Sequence, residues 1–95
     1  MEAIVRALEA SIPVYEVREN DYGAVVTLVD GRSFFVDRPF EGVVVIAPAT
    51  GSYEGDLALL GALYAELAAA GFAVSRVVCR ELCVCELRVR EGGPR

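Results

Sequence analysis

The sequence predicts an α+β domain: an antiparallel sheet of about five to six strands with helices packed on one side, in the order α-β-β-β-β-α-β-β. Three observations carry this. Short turn signals separate the strand-like runs that precede the long helix, so those strands pair antiparallel. A strongly apolar helical pattern then runs over Leu57–Ala70, and two more strand-like runs follow it. The 95 residues hold no linker, internal repeat or low-complexity segment. They make one compact domain over residues 1–95, with a frayed tail at 91–95.

Residues 2–11 read as a short amphipathic helix. Ile4, Val5, Leu8 and Ile12 form its apolar stripe, and Glu2 and Arg6 are spaced for an i,i+4 ion pair. Pro13 closes it. Three strands follow, at Val14–Glu19, Ala24–Val29 and Arg32–Asp37. Asn20-Asp21-Tyr22-Gly23 turns the first into the second, and Asp30-Gly31 reads as a two-residue hairpin turn between the second and third. Residues 38–42 lead into the central strand. There Val43, Val44, Val45, Ile46 and Ala47 run without alternation, which suits a strand covered on both faces.

The long helix has two unlike halves on a 100° wheel. Leu57, Leu59, Leu60, Leu63, Tyr64 and Leu67 fill one, which must sit on the sheet. Ala58, Gly61, Ala62, Ala65, Ala68 and Ala69 fill most of the other. Solvated helix faces normally carry more charge than this. Ala58, Gly61, Ala65 and Ala68 are therefore candidates for a close apolar contact, either with the first helix or with a second copy of the chain. Gly71 supplies the left-handed residue that ends the helix. Phe72–Cys79 and Cys83–Arg90 complete the chain as a hairpin.

Composition bounds the function. Of the residues, 55% are apolar, more than a chain of this size easily hides, since small domains bury only about 60–65% of their unfolded surface. The surplus points to a homodimer. The net charge is −5, and all nine basic residues are arginines. Residues 76–95 carry five arginines and three glutamates, and the other residues four arginines and eleven acids. An acidic body of this kind argues against nucleic acid or an anionic membrane as partner. The start is acidic and amphipathic, unlike a signal peptide, and no run is long enough to cross a bilayer, so a cytoplasmic location is expected. Asn20 is the lone asparagine and glutamine is absent, as in a thermophilic source or a GC-rich genome. Histidine is absent too, which removes the usual general base and the commonest metal ligand.

Two constellations remain. The loop from Ala47 to Asp56 joins a strand to a helix N-terminus, where Thr50, Gly51, Ser52, Tyr53 and Gly55 could hold an anion or small ligand. It lacks the lysine and the glycine spacing of a nucleotide motif, and Glu54 and Asp56 would repel phosphate. Its first reading is structural, with Thr50 or Ser52 as the N-cap. Cys79, Cys83 and Cys85 form C-x3-C-x-C. A three-residue turn at 80–82 would set Cys79 opposite Cys83, Val77 opposite Cys85 and Arg76 opposite Glu86, turning all three thiols toward the core. Three cysteines fall short of a four-ligand structural zinc site, so packing is read ahead of metal or a disulfide. No cofactor and no catalytic residue is assigned. The function read from this chain is a non-enzymatic homodimeric interaction module, with a small-ligand or metal-binding protein as the alternative.

Overall fold

A computed structural model describes residues 1–78 and 84–91. The elements are α1 (Glu2–Ser11), β1 (Val14–Glu19), β2 (Gly23–Leu28), β3 (Ser33–Phe40), β4 (Val43–Pro48), α2 (Tyr53–Ala69), β5 (Ala73–Val78) and β6 (Val84–Arg90). The six strands form one fully antiparallel sheet in the order β1-β2-β3-β4-β6-β5. The predicted class and element order are those of the structure. Strand β6 is inserted between β4 and β5, so β5 is an edge strand with α2 beside it.

One apolar core holds the layers together. Ile4 and Leu8 of α1 and Leu59, Leu60, Leu63 and Leu67 of α2 are buried against one face of the sheet. The sheet answers with alternate residues, as strand geometry requires: Ala24, Val26 and Leu28, then Phe34 and Val36, Val44 and Ile46, Leu87 and Val89. Leu59, Leu60, Leu63 and Leu67 thus lie where the pattern places them, while Leu57 and Tyr64 of the same half are half-buried. The Glu2–Arg6 pair forms at 3.0 Å.

The helix ends follow their chemistry. Ser52 is the N-cap of α2, its hydroxyl oxygen accepting from the Gly55 N–H at 3.0 Å. At the other end the Gly71 N–H reaches the Ala68 carbonyl and the Phe72 N–H reaches that of Leu67. This is the Schellman pattern, with Gly71 left-handed at φ 94. Phe72 packs back on the core.

Four local expectations are corrected. The β2–β3 connection is a three-residue loop, Val29-Asp30-Gly31, because Gly31 at φ 95 forms the bulge that follows a type I turn. Val29 is thereby pulled out of the strand and 64% exposed. The Asp30 carboxylate accepts from the Arg32 backbone N–H (3.0 Å) and from its guanidinium (2.8 Å), which holds the Asp30 carboxyl below its ordinary pKa. Strand β4 is covered by helices on one face alone: Val44 and Ile46 are buried, while Val43, Val45 and Ala47 are half-buried on the other. The hairpin register differs as well. Arg76 pairs with Leu87 and Val77 with Glu86, and the register shifts before Val78 meets Val84. Cys85 is the extra residue at that shift, so it is exposed rather than core-facing. Cys79 and Cys83 lie outside the described residues, as do residues 92–95 of the tail read as frayed. Glu91 is not frayed: it is half-buried, and its carboxylate accepts from Arg38 at 2.7 Å.

Candidate functional site

Three regions could carry function, and each is built differently. The first is the loop before α2. Its polar groups are turned on one another. The Thr50 N–H donates to the Asp56 carboxylate at 3.0 Å and the Thr50 hydroxyl donates to the same oxygen at 2.5 Å. The Gly55 and Asp56 N–H groups are held by the Ser52 hydroxyl and carbonyl oxygens. An anion at this helix start would have to displace the Asp56 carboxylate, which already occupies the favourable end of the dipole. Gly51 and Tyr53 are exposed, and Gly55 is tucked so that a Cβ would meet the Thr50 hydroxyl. The five candidate residues are thus brought together, but as a cap. Replacing Ser52 by alanine should destabilise the protein by about 0.5–2 kcal/mol, as loss of a cap does. Chemical denaturation checks it, and an unchanged midpoint would mean the cap is idle.

The cysteine cluster cannot be assembled from the described residues, of which Cys85 alone belongs to it. Among those residues no group of three acidic or cysteine side chains is placed to hold a metal ion.

The second region is the outer side of α2. Ala58, Gly61, Ala65 and Ala68 are all exposed. α1 packs beside α2 through Ile4 and Leu8 without covering them. A Cβ added at Gly61 would meet nothing within 4 Å. Leu57 and Tyr64 are half-buried along the flank nearest β5, where the Arg76 guanidinium lies 4.1 Å from the centre of the Tyr64 ring. Leu57, Leu60, Gly61, Arg76, Val84 and Leu87 enclose a small hollow there, of about 200 Å³.

The third region is the sheet face away from the helices, which pattern reasoning passed over. Val25, Phe35, Val45 and Ala47 share it, and Phe40 stands 69% exposed at its rim. A concavity of about 710 Å³ lies over β3, β4, β6 and β5, walled by Asp37, Phe40, Val43, Val45, Ser75 and Arg88. Charge is interleaved throughout: Arg18 with Glu16 at 3.1 Å, Arg88 with Glu86 at 3.0 Å, and Asp37 and Arg90 on the same face. The sequence signal for it was the unbroken Val43–Ala47 run, whose odd-numbered members need cover that the helices do not provide.

No helix among the described residues is long and apolar enough to cross a membrane. Comparison with protein-family models, with characterised proteins and with solved structures finds no match to this chain.

Proposed function

We propose that this chain is a cytoplasmic, non-enzymatic interaction module that works as a homodimer. The observation that carries it is the outer side of α2: a row of small residues from Ala58 to Ala68, exposed in the single chain, with Glu54 at its head and Glu66 at its border. Small side chains let helix backbones approach closely, and an exposed apolar helix side beside an apolar strand is costly unless something covers it. The alternative of a ligand at residues 50–55 is weakened by the capping network, which uses the donors such a ligand would need.

Gly61 supplies the test. In a lone chain, Gly61→Ala puts its methyl into open space and gains helix propensity, stabilising by about 0.5–1 kcal/mol. Gly61→Leu begins from the same open space, and circular dichroism of the dilute variant checks that the single chain still folds. If α2 meets a second copy here, Gly61→Leu overpacks the contact by about 1–3 kcal/mol and weakens association roughly five- to a hundredfold. Sedimentation velocity across a concentration series reads this. A Gly61→Leu protein that associates as the parent does would remove α2 from the interface.

A further inference from the structure

Deepening the dimer reading, and resting on it, we infer that the two copies join edge to edge through β5, with the α2 flanks meeting alongside. The sheet has two edges, and they are built differently. On β1, Glu16, Arg18 and Glu19 supply three charges in six residues, and its pairing with β2 is broken by a register shift near Tyr15. Charges and bulges are the devices that stop a free edge from pairing. β5 reads Ala73-Val74-Ser75-Arg76-Val77-Val78. Its one charge, on Arg76, is folded back over the Tyr64 ring, and Val78 is 54% exposed. Among the described residues β5 pairs with β6 alone, so its outward N–H and C=O groups face none of the described strands.

The open sheet face is the competing seam, and its charge argues against it. Glu16, Arg18, Asp37, Glu86, Arg88 and Arg90 all point to that side, and sheet-on-sheet packing would take these charges out of water. The β5 edge buries one guanidinium already stacked on an aromatic ring.

Self-pairing also has a definite register. A two-fold axis normal to the sheet returns the helix side to the helix side, so directly opposed residues must come from the same face. Val74, Arg76 and Val78 share one face of β5, and Ala73, Ser75 and Val77 the other. Two registers pair five residues of β5. One centres on Arg76 and sets two guanidiniums opposite each other, which is destabilising. The other centres on Ser75, opposing Ser75 to the partner's Ser75, Ala73 to the partner's Val77, and Val74 to the partner's Arg76. No like charges meet. A five-residue strand pair alone falls well short of the roughly 800 Å² per partner of a stable interface. The flank of α2 along Leu57, Gly61, Tyr64 and Ala68 therefore closes over it, at the hollow that Gly61 and Arg76 line. The result is a continuous twelve-strand sheet with all helices on one side.

The test uses charge at the axis. Ser75 is exposed, so substitution there leaves the single chain foldable, checked by far-ultraviolet circular dichroism. Ser75→Lys places two ammonium groups across the axis and should raise the dimer Kd at least about tenfold, since opposed like charges in an interface cost well over 1 kcal/mol. Ser75→Glu should weaken it less, because Arg88 lies in the same row. Mixing equal amounts of the two, one of them labelled with nitrogen-15, should yield heterodimers in native mass spectrometry well beyond the twofold excess over each homodimer that indifferent pairing gives. A dimeric parent whose Ser75→Lys variant associates equally well overturns the β5 seam and leaves the dimer standing. Folded variants that fail to recover on mixing overturn the Ser75-centred register. A monomeric parent overturns both the seam and the dimer.

Discussion

Replacing Phe34 by alanine should destabilise the protein by about 3–5 kcal/mol, the range for a fully buried phenylalanine whose site cannot collapse. Among the described residues Phe34 is the largest side chain with no solvent exposure. It sits on β3, opposite Val26 on one neighbour and Pro48 on the other, in the same core cluster as the leucines of α2. A domain of this size has on the order of 5–15 kcal/mol of stability in all, so the variant should be close to unfolding at moderate temperature. Phe40, on the same strand and 69% exposed, is the control: its truncation should change stability by no more than about 0.5 kcal/mol. Guanidinium denaturation at a fixed protein concentration compares them, because association would otherwise shift the midpoints. A Phe34→Ala cost below about 1 kcal/mol would contradict a single close-packed core.

Gly23→Ala should be the most damaging of the glycine substitutions, at about 1–3 kcal/mol. The cause is space rather than dihedral freedom. A Cβ at Gly23 would run into the Val36 carbonyl oxygen and lie 2.8 Å from the Asp37 carboxylate. The strand cannot move aside cheaply, because the turn before it is pinned. The Asn20 side-chain oxygen accepts from the N–H groups of Tyr22 and Gly23, each at 2.8 Å, and the Asn20 N–H returns to the Gly23 carbonyl at 2.9 Å. Gly61→Ala is the contrasting case, with open space where the methyl would go. Thermal unfolding of the two variants, at dilution that keeps the chains single, should move in opposite directions, and a Gly23→Ala protein as stable as the parent would mean that β2 and β3 are less tightly joined than their geometry requires.

Local signals made most of the fold legible. The bounds of α1 and β1 follow from the Ile4/Leu8 stripe, Pro13 and the Asn20 turn, all of which act within a few residues. The leucine half of α2 and the Gly71 terminus are likewise local chemistry. What pattern could not supply was strand order. Nothing near β6 in sequence says that it inserts between β4 and β5, so neither the free β5 edge nor the uncovered face of β4 could be anticipated. An unbroken valine run reads as two-sided cover, yet Val43 and Val45 are half-buried at an open concavity. The hairpin register failed for a specific reason. Pairing Arg76 with Glu86 satisfied charge on paper, but Arg76 finds its partner in the Tyr64 ring on the helix side, and Cys85 takes up the extra residue as an exposed bulge. At the candidate loop the capping reading was legible from Ser52, Glu54 and Asp56 alone. The closure of Thr50 onto Asp56 needed the folded geometry.

The central claim is that two copies of this chain form the working unit. Sedimentation equilibrium of the parent protein, from low micromolar to submillimolar concentration, tests it most directly. The mass should be twice that of the 10.2 kDa chain over most of that range, giving way to the single-chain mass on dilution. A mass that stays at that of one chain up to the highest concentration would contradict it.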